Sequence, residues 1–409
     1  MKILNFGSCN VDFVYSLDHI VRVGETESTK CMEIFAGGKG LNKSIAVARA
    51  GGEVYHAGCI GTDGVFLKDL LEQSGVDVSY LQTVDAKNGH AIIQVSAKGE
   101  NSIFLYPGSN SMITKDQIDA VLSRFDAGDI LLLQNEISNV EYLIQRAHSQ
   151  QMLTVFNPSP INETVSMIDF EMLSYLILNE VEAQEISSCE TTEEALTYFR
   201  THYPGLRIML TLGEQGCVYA DAERELWQSA YRVKAVDTTA AGDTFTGYFV
   251  SGIAQGADCM ETLKLASAAA AIAVSRKGAA PSIPTREEVL SRLAGLPSGN
   301  SKNCKTEQLR HEIEQYLEQH LRQANLQSLA EQLGYSAVYT GALVKQLTGV
   351  SFSKLLQAKR CRAAADMLLQ TDLPIAEIIH AVGYENESFF RDLFSEKYGK
   401  TPIQYRKKR

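Results

Sequence analysis

Asp237-Thr238-Thr239-Ala240-Ala241-Gly242-Asp243-Thr244-Phe245 is the stretch from which the fold can be read. It follows residues 231–236, whose apolar/polar alternation predicts a short strand. After it, Phe245, Tyr248, Phe249, Gly252 and Ile253 recur on one face of a helical pattern. Small residues sit where strand gives way to helix. There the first amides lack intrahelical partners and the dipole adds partial positive charge, so an anion can come close. Asp243 puts a carboxylate at the same point. Two readings stay open from these residues alone. Asp243 caps the helix, or it is a proton acceptor beside a cradle for a transferring phosphoryl group.

Upstream, the chain begins with a strand ending in Gly7-Ser8-Cys9-Asn10-Val11-Asp12. Asn10 and Asp12, two apart on extended chain, point the same way and can grip neighbouring hydroxyls of a polyol. Ala36-Gly37-Gly38-Lys39-Gly40-Leu41-Asn42 opens a helix over 43–50 that stops at Gly51-Gly52. Gly40 after Lys39, where a P-loop has Ser or Thr, excludes that motif. The glycines allow close backbone approach to a ligand, with Asn42 in the first turn.

Strands at 54–60, 130–134, 154–157 and 176–178 alternate with helical segments such as 65–74, the pattern of a mostly parallel sheet. Two strands at 90–96 and 101–106 make a hairpin suited to a lid. Glu136 falls at a strand's C-terminal end, where open α/β sheets hold their ligands. Asn179 and Glu182 could share a hydrated magnesium ion or simply begin a helix well. Thr211-Leu212-Gly213-Glu214-Gln215-Gly216 is a strand running into a glycine turn suited to a nucleotide. The loop 275–282 is too rich in Gly and Pro for a helix, so its carbonyls are free to face a cation.

The chain has 409 residues, 45% hydrophobic and 21% charged, enough for two or three globular domains. Its net charge of −11 is unevenly spread. Residues 301–409 hold 16 Lys/Arg against 12 Asp/Glu, which from totals of 38 and 49 leaves 22 against 37 for residues 1–300. The acidic body and mildly basic end place any nucleic-acid contact at the C-terminus. The eight cysteines are scattered, without a C-x-x-C pair, which argues against a zinc site and for reduced thiols. With no signal-peptide pattern and no apolar run of membrane-spanning length, the expected location is the cytoplasm, with no membrane partner.

Together and in order, Gly7–Asp12, Gly37–Asn42, Asn179-x-x-Glu182, Thr211–Gly213, Asp237–Phe245 and Arg276–Ser282 resemble the ribokinase-like (PfkB) sugar kinases. The likeness covers about residues 1–294 and implies an α/β, three-layer fold with a mostly parallel central sheet and a small β lid. It implies ATP, Mg2+ and K+ as cofactors and a pentose, ribose first, as substrate. Asn10, Asp12, Gly38, Lys39, Gly40, Asn42 and Glu136 would bind the sugar. Asp243 would be the base, with the amides of Ala240, Ala241, Gly242 and Asp243 as the anion cradle. Thr211, Leu212, Gly213, Glu214, Gln215 and Gly216, with Asn179 and Gly242, would line the ATP site. Asn179 and Glu182 would act on magnesium through water. Asp237, Thr239, Ala273, Arg276, Gly278 and Ser282 would ring potassium. Ser267 departs from the histidine that ribokinases often carry near adenine, and His90 replaces an aliphatic lid residue. His90 either meets a sugar hydroxyl or sits at the lid edge. Ribokinases often pair through the lid, so the resemblance leaves a homodimer open.

Residues 296–305 read as a linker between a kinase domain, 1–295, and a helical domain, 306–409. A helix at 307–319 precedes helix, glycine turn and second helix around Gly334-Tyr335, and a related unit recurs at Gly383-Tyr384. Two such units joined by a long helix resemble the DNA-binding domain of AraC-type regulators, down to Gly399-Lys400-Thr401-Pro402. The resemblance implies double-stranded DNA as a partner, met by Ser336, Tyr339, Thr340, Lys345, Asn386, Ser388, Arg391 and Lys397 on two recognition helices. Acidic neighbours leave these helices weak in charge, so Lys354, Lys359, Arg360, Arg362 and the tail 406–409 would have to supply phosphate contacts. The alternatives to an active ribokinase-like enzyme are a sugar-sensing regulator whose kinase fold only binds ligand, and a kinase for another furanose or a nucleoside.

Overall fold

The structure is a computed structural model that describes residues 1–297, 302–348, 350–371 and 373–406. Linker residues 298–301, Gly349, Asp372 and the basic tail 407–409 lie outside them. The chain forms two compact units, Met1–Ser301 and Lys302–Arg409.

In the first unit the chain runs β1 (Ile3–Phe6), β2 (Asn10–Ser16), β3 (Cys31–Gly37), α1 (Lys39–Arg49), β4 (Val54–Gly61), α2 (Val65–Gln73) and β5 (Asp77–Val84). It continues with β6 (Gly89–Val95), β7 (Asn101–Tyr106), α3 (Lys115–Leu122), β8 (Ile130–Gln134), α4 (Val140–Ser149), β9 (Leu153–Asn157) and β10 (Tyr175–Asn179). The rest is α5 (Glu180–Ser187), α6 (Thr192–His202), β11 (Arg207–Thr211), β12 (Cys217–Ala220), β13 (Glu225–Gln228), α7 (Ala241–Ala254), α8 (Cys259–Val274) and α9 (Arg286–Leu293).

The central sheet has the order β13-β12-β11-β10-β9-β8-β1-β4-β5. From β11 to β5 all neighbours are parallel, and β12 and β13 close one edge as an antiparallel hairpin. Side chains alternate between its faces, as strand geometry requires. Ile3, Ile130 and Leu132 join a core with α1, α2, α7 and α8. Leu4, Phe6, Leu131 and Leu133 are fully buried outside that cluster, on the opposite face. Helix, sheet and helix therefore make the expected three layers.

The chain leaves β1 toward β4 and β5 on one side, then returns through β8 to β11 on the other. The strand order reverses between β1 and β8, and such a reversal opens a crevice at the C-terminal strand ends. Gly7 to Asn10 and Asn135-Glu136 emerge there. The lid is a separate sheet, β3-β2-β6-β7, so the expected hairpin is half of a four-stranded element.

Residues 231–236 do not form the predicted strand. Tyr231 makes an isolated bridge and the rest is irregular. Tyr231, Arg232, Val233 and Ala235 instead line the wall of a cleft.

The second unit consists of α10 (Lys302–Gln319), α11 (Leu326–Leu333), α12 (Ala337–Thr348), α13 (Phe352–Gln370), α14 (Ile375–Ala381), α15 (Glu387–Tyr398) and α16 (Pro402–Arg406). Its first helix begins at Lys302, within the segment that composition assigned to the linker. Gly334, Gly383 and Gly399 have positive φ, the left-handed turn that ends a helix at little cost when the residue is glycine. Each half has its own core, and α13 serves both. Phe352 and Leu356 pack with Leu329 and Val344, while Cys361, Ala364 and Leu368 pack with Ile379 and Phe390. Arg360 joins the halves by donating to the carbonyls of Leu321 (3.0 Å) and Arg322 (2.8 Å).

Candidate active site

The opening stretch turns into α7 at Ala240, which has φ 59° and provides no side-chain cap. Asp243 is not a cap. Its Oδ2 accepts from Asn42 Nδ2 at 3.1 Å, and its Oδ1 lies 3.3 Å from Lys43 Nζ. Both partners come from the N-terminal end of α1, which packs closely on α7. At Gly247 an added Cβ would stand 2.3 Å from the Ala46 Cβ, so a larger residue there would push the helices apart. Ala241 N–H donates to the Thr238 carbonyl (3.2 Å), and Thr244 N–H to Ala240. The N–H groups of Ala240, Gly242 and Asp243 donate no hydrogen bond among the described residues, so of the expected cradle only the Ala241 N–H is already used. Lys43, which meets the Asp243 carboxylate, has no part in the sequence reading; its signal is its place one helical turn after Lys39, on the same side of α1.

Glu136 closes the crevice between β1 and β8. Its Oε2 accepts from Ser8 Oγ (2.5 Å) and Lys39 N–H (3.1 Å), and Lys39 Nζ lies 3.8 Å from its Oε1. Asn10 Oδ1 accepts from Asn110 Nδ2 at 2.7 Å, and the cleft they share has a volume of about 280 Å³. Asp12 follows on β2, tight against Gly37, where an added Cβ would lie 2.0 Å from its carboxylate. Burial, then the negative charge of Glu136, pushes the Asp12 carboxyl up to about 7, against the pull of Lys39. Burial opposes the Lys39 ammonium, but Glu136, Asp243, Glu182 and Asp12 together hold its pKa above the usual lysine range. Gly38 is the left-handed residue (φ 95°) that precedes α1, and Gly40 is buried against Gly7 and Ser8. His90 lies in the lid, edge-on to Phe13 (5.7 Å) and tilted against Tyr106 (4.9 Å), with Nδ1 3.1 Å from the Asn88 carbonyl.

A second cleft, about 730 Å³, lies across α7 between Thr211, Gly213, Glu214, Gly216 and the 230–235 segment. Val233, Phe245, Ala270, Ala271 and Val274 give it an apolar wall, Arg232 and Ser267 its polar groups. Its size suits a nucleotide. Leu212, which is buried, and Gln215 do not line it. A third cleft holds Lys39, Asn157, Asn179, Glu182 and Asp243, and Gly242 and Thr211 belong to both the second and the third. Gly242 is thus the meeting point.

Asn179 and Glu182 form a reciprocal capping box. Asn179 Oδ1 accepts Glu182 N–H (2.8 Å) and Glu182 Oε2 accepts Asn179 N–H (3.0 Å). The second carboxylate oxygen of Glu182 is what a hydrated metal would use, so the pair fits magnesium through water and not as a direct clamp. The potassium candidates assemble around Asp237, whose Oδ1 accepts Thr239 N–H and Oδ2 accepts Gly278 N–H, both at 2.9 Å. Although partial burial opposes it, these bonds keep the Asp237 pKa below the usual carboxylate range. Val236 and Asp237 N–H both donate to the Val274 carbonyl, which ties this loop to the end of α8. Carboxylate and backbone oxygens suit a monovalent cation, although the Ser282 carbonyl faces the Arg276 guanidinium at 3.5 Å and the Ala273 carbonyl accepts Arg276 N–H.

In the second unit Ser336, Tyr339, Lys345, Asn386, Ser388, Arg391 and Lys397 are exposed, with Asn386 also capping α15. Thr340 is fully buried and presents nothing to a groove, because it lies on the face of α12 turned to the core. Two expected phosphate ligands are engaged elsewhere: Arg360 between the halves, and Lys359 3.5 Å from Glu318. Arg391 pairs with Glu387 at 2.9 Å, and Lys397 donates to the Ala358 carbonyl. Val338 (87% exposed) and Phe389 (50%) stand out on the two helices and were not expected from sequence.

A parallel sheet with a reversal at β1/β8, a lid sheet, and a carboxylate at a helix N-terminus where two clefts meet define a phosphotransferase of the sugar-kinase class. The chain belongs to the pfkB family of carbohydrate kinases, whose family model matches residues 1–286, and is an ATP-dependent carbohydrate kinase. Residues 329–408 match a helix-turn-helix domain of the AraC type. The chain is similar to ribokinase of Haemophilus influenzae, 36% identical over 302 residues, covering 70% of this chain and 96% of the relative. Ribokinase of Schizosaccharomyces pombe is 37% identical over 309 residues, covering 71% and 96%. Among solved structures, ribokinase of Cryptococcus neoformans in complex with ADP gives a TM-score of 0.64 at 35% identity, covering 71% of this chain and 99% of that one. Arabidopsis thaliana ribokinase complexed with ribose and ATP gives 0.63 at 29%, covering 71% and 98%.

Proposed function

We propose that this chain transfers the γ-phosphoryl group of ATP to a hydroxyl of ribose, and that its C-terminal unit binds double-stranded DNA to adjust transcription to the sugar. The observation that carries the reading is the Asp243 carboxylate, fixed at the N-terminus of α7 where the two clefts join at Gly242. Asn10, Asp12, Lys39, Asn42 and Glu136 bind and orient the sugar. Asp243 takes the proton of the attacking hydroxyl as the new O–P bond forms and the bond to the β-phosphate oxygen breaks, releasing ADP. The Gly242 and Asp243 N–H groups stabilise charge on the transferring group. Mg2+, held through water by Asn179 and Glu182, would neutralise phosphate charge. K+, in the Asp237, Thr239, Ala273, Arg276, Gly278, Ser282 ring, would order the cradle. The ribose assignment is supported by the ribokinase relatives. A coupled ADP-release screen across pentoses and hexoses, with and without potassium, tests it. Turnover of a hexose in preference to every pentose would overturn it.

Asp12 must be a carboxylate to accept hydroxyl hydrogens, and its pKa is about 7. The raised pKa puts the loss on the acid side, so kcat/KM for the sugar falls about tenfold per pH unit below that value. The kcat at saturating sugar does not follow the same limb, and Asp12→Asn abolishes it. A kcat/KM that is flat between pH 5.5 and 8 would sink this assignment.

The exposed recognition helices motivate the DNA reading. Affinity for the region upstream of the protein's own operon should fall by about tenfold or more between 50 and 200 mM salt. Lys345→Ala should lower the salt slope by about one. Association that ignores salt would point to a protein partner. No helix among the described residues is long and apolar enough to cross a membrane, in keeping with a cytoplasmic setting. The lid exposes Met32, Ile34, Phe104 and Tyr106 on one face, an apolar surface suited to a second copy of the chain.

A further inference from the structure

Behind Asp243 sits a charged group that none of the roles above employs. The Lys43 side chain is 1% exposed, and its Nζ lies 2.7 Å from Asn157 Oδ1 and 3.3 Å from Asp243 Oδ1. Asn157 is itself fixed, donating Nδ2–H to the Ile177 carbonyl at 2.9 Å. One Asp243 oxygen therefore faces Lys43 and the other Asn42, both from within the protein. Burying an ammonium away from water is strongly unfavourable unless it is paired. An apolar side chain of the same length would fill this space without that cost. What the position gains by lysine is charge, aimed at Asp243.

We infer that Lys43 is a positioning residue for phosphoryl transfer, its ammonium anchored by Asn157 to hold the Asp243 carboxylate in the orientation that takes the hydroxyl proton. This rests on the reading of Asp243 as the base. The other charged groups around the pair are Lys39 on its own helix, Glu136 after β8, Glu182 on α5 and Asp12 on β2. His56 on β4 faces the same helix but bonds Ser44 (2.8 Å), and burial holds it down to about 4, so it stays neutral. Burial also depresses the Lys43 pKa, so its charge is lost at a lower pH than that of a free lysine. As that charge goes, Asp243 loses the partner that holds one of its oxygens, so kcat falls on the alkaline side and that limb belongs to Lys43.

The test is kcat against pH, at saturating ATP and sugar, for the full chain and for Lys43→Met and Lys43→Gln. The alkaline limb should vanish in both variants, and kcat below it should fall by about tenfold or more. KM for sugar and ATP should stay within about threefold, because the residue touches neither. Lys43→Gln, which can still donate to Asn157, should recover part of kcat without restoring the alkaline limb. A purely structural lysine would change kcat or melting temperature and leave the alkaline limb in place, and that result overturns the proposal. Melting temperature and ADP titration establish folding. If Lys43→Met does not fold, the glutamine profile decides, and if neither variant folds with ADP bound the residue is structural and the proposal fails. Full turnover by Asp243→Asn would sink the base assignment instead. An inactive Asp243→Asn with unmoved Lys43 profiles sinks the Lys43 role alone.

Discussion

Asp243→Asn should lower kcat by about 10²- to 10⁴-fold, with ADP binding and sugar binding retained. Asparagine keeps the size and can still accept from Asn42 at 3.1 Å. What it cannot do is take a proton. The competing view, a helix cap, makes a different forecast, because asparagine caps as well as aspartate does. Under that view turnover would survive. The geometry already weighs against it, since Ala240 occupies the cap position and Asp243 reaches back to α1. Breaking a buried ion pair usually destabilises strongly. Here Lys43 can release its proton, since burial already depresses its pKa, so the melting temperature should fall much less than activity. Stopped-flow single turnover, with calorimetry of ADP binding, separates the chemical step from folding. Wild-type turnover by the folded variant would remove Asp243 from the chemistry.

Much of this site was legible because its signals are local. Glycines beside Lys39, the paired Asn10 and Asp12, and the small residues before Asp243 each imply close approach or a shared face without knowledge of the fold. Apolar runs such as Ile130–Gln134 declare a buried strand by composition, and all of its residues are buried. Partnership over long sequence separations was not legible. Lys43 meets Asn157, 114 residues on, and Asp243, whose neighbour Asn42 is 201 residues away from it. Nothing at the start of a helix says that its lysine will be covered. Alternation also misled at 231–236, where Tyr231 and Val233 are half-buried between exposed Arg232 and Lys234 although the chain is irregular, because burial can alternate without a partner strand. In the helical unit, charge was counted as if every cation were free. Arg360 bridges backbone carbonyls, and Thr340 turned inward because α12 buries Leu343, Val344 and Leu347 on the same side. The magnesium pair shows a subtler limit. Asn179 and Glu182 satisfy the pattern for a capping box and for a metal site at once, and the structure uses the first while leaving one carboxylate oxygen for the second.

Gly242→Val should abolish phosphoryl transfer while leaving the fold as stable as before, and the combination is what makes it informative. A Cβ built on Gly242 meets no protein atom within 4 Å, so overpacking does not arise. Replacing glycine near a helix start should, if anything, favour the helix by a few tenths to about 1 kcal/mol. The open space is not idle, since Gly242 borders both the nucleotide-sized cleft and the one that contains Asp243. Branched methyls there would stand in front of the Gly242 and Asp243 N–H groups and keep an anion away from them. Loss of one such donor typically costs about 10²- to 10³-fold in kcat, and valine screens two. Gly242→Ala should be intermediate, since a single methyl narrows the junction without closing it. ADP, which lacks the transferring group, should still bind to Gly242→Val, whereas wild-type kcat with an unchanged KM for ATP would place the phosphoryl path elsewhere. A glycine that tolerates a larger residue in the fold but not in the reaction is reserved for something that passes over it.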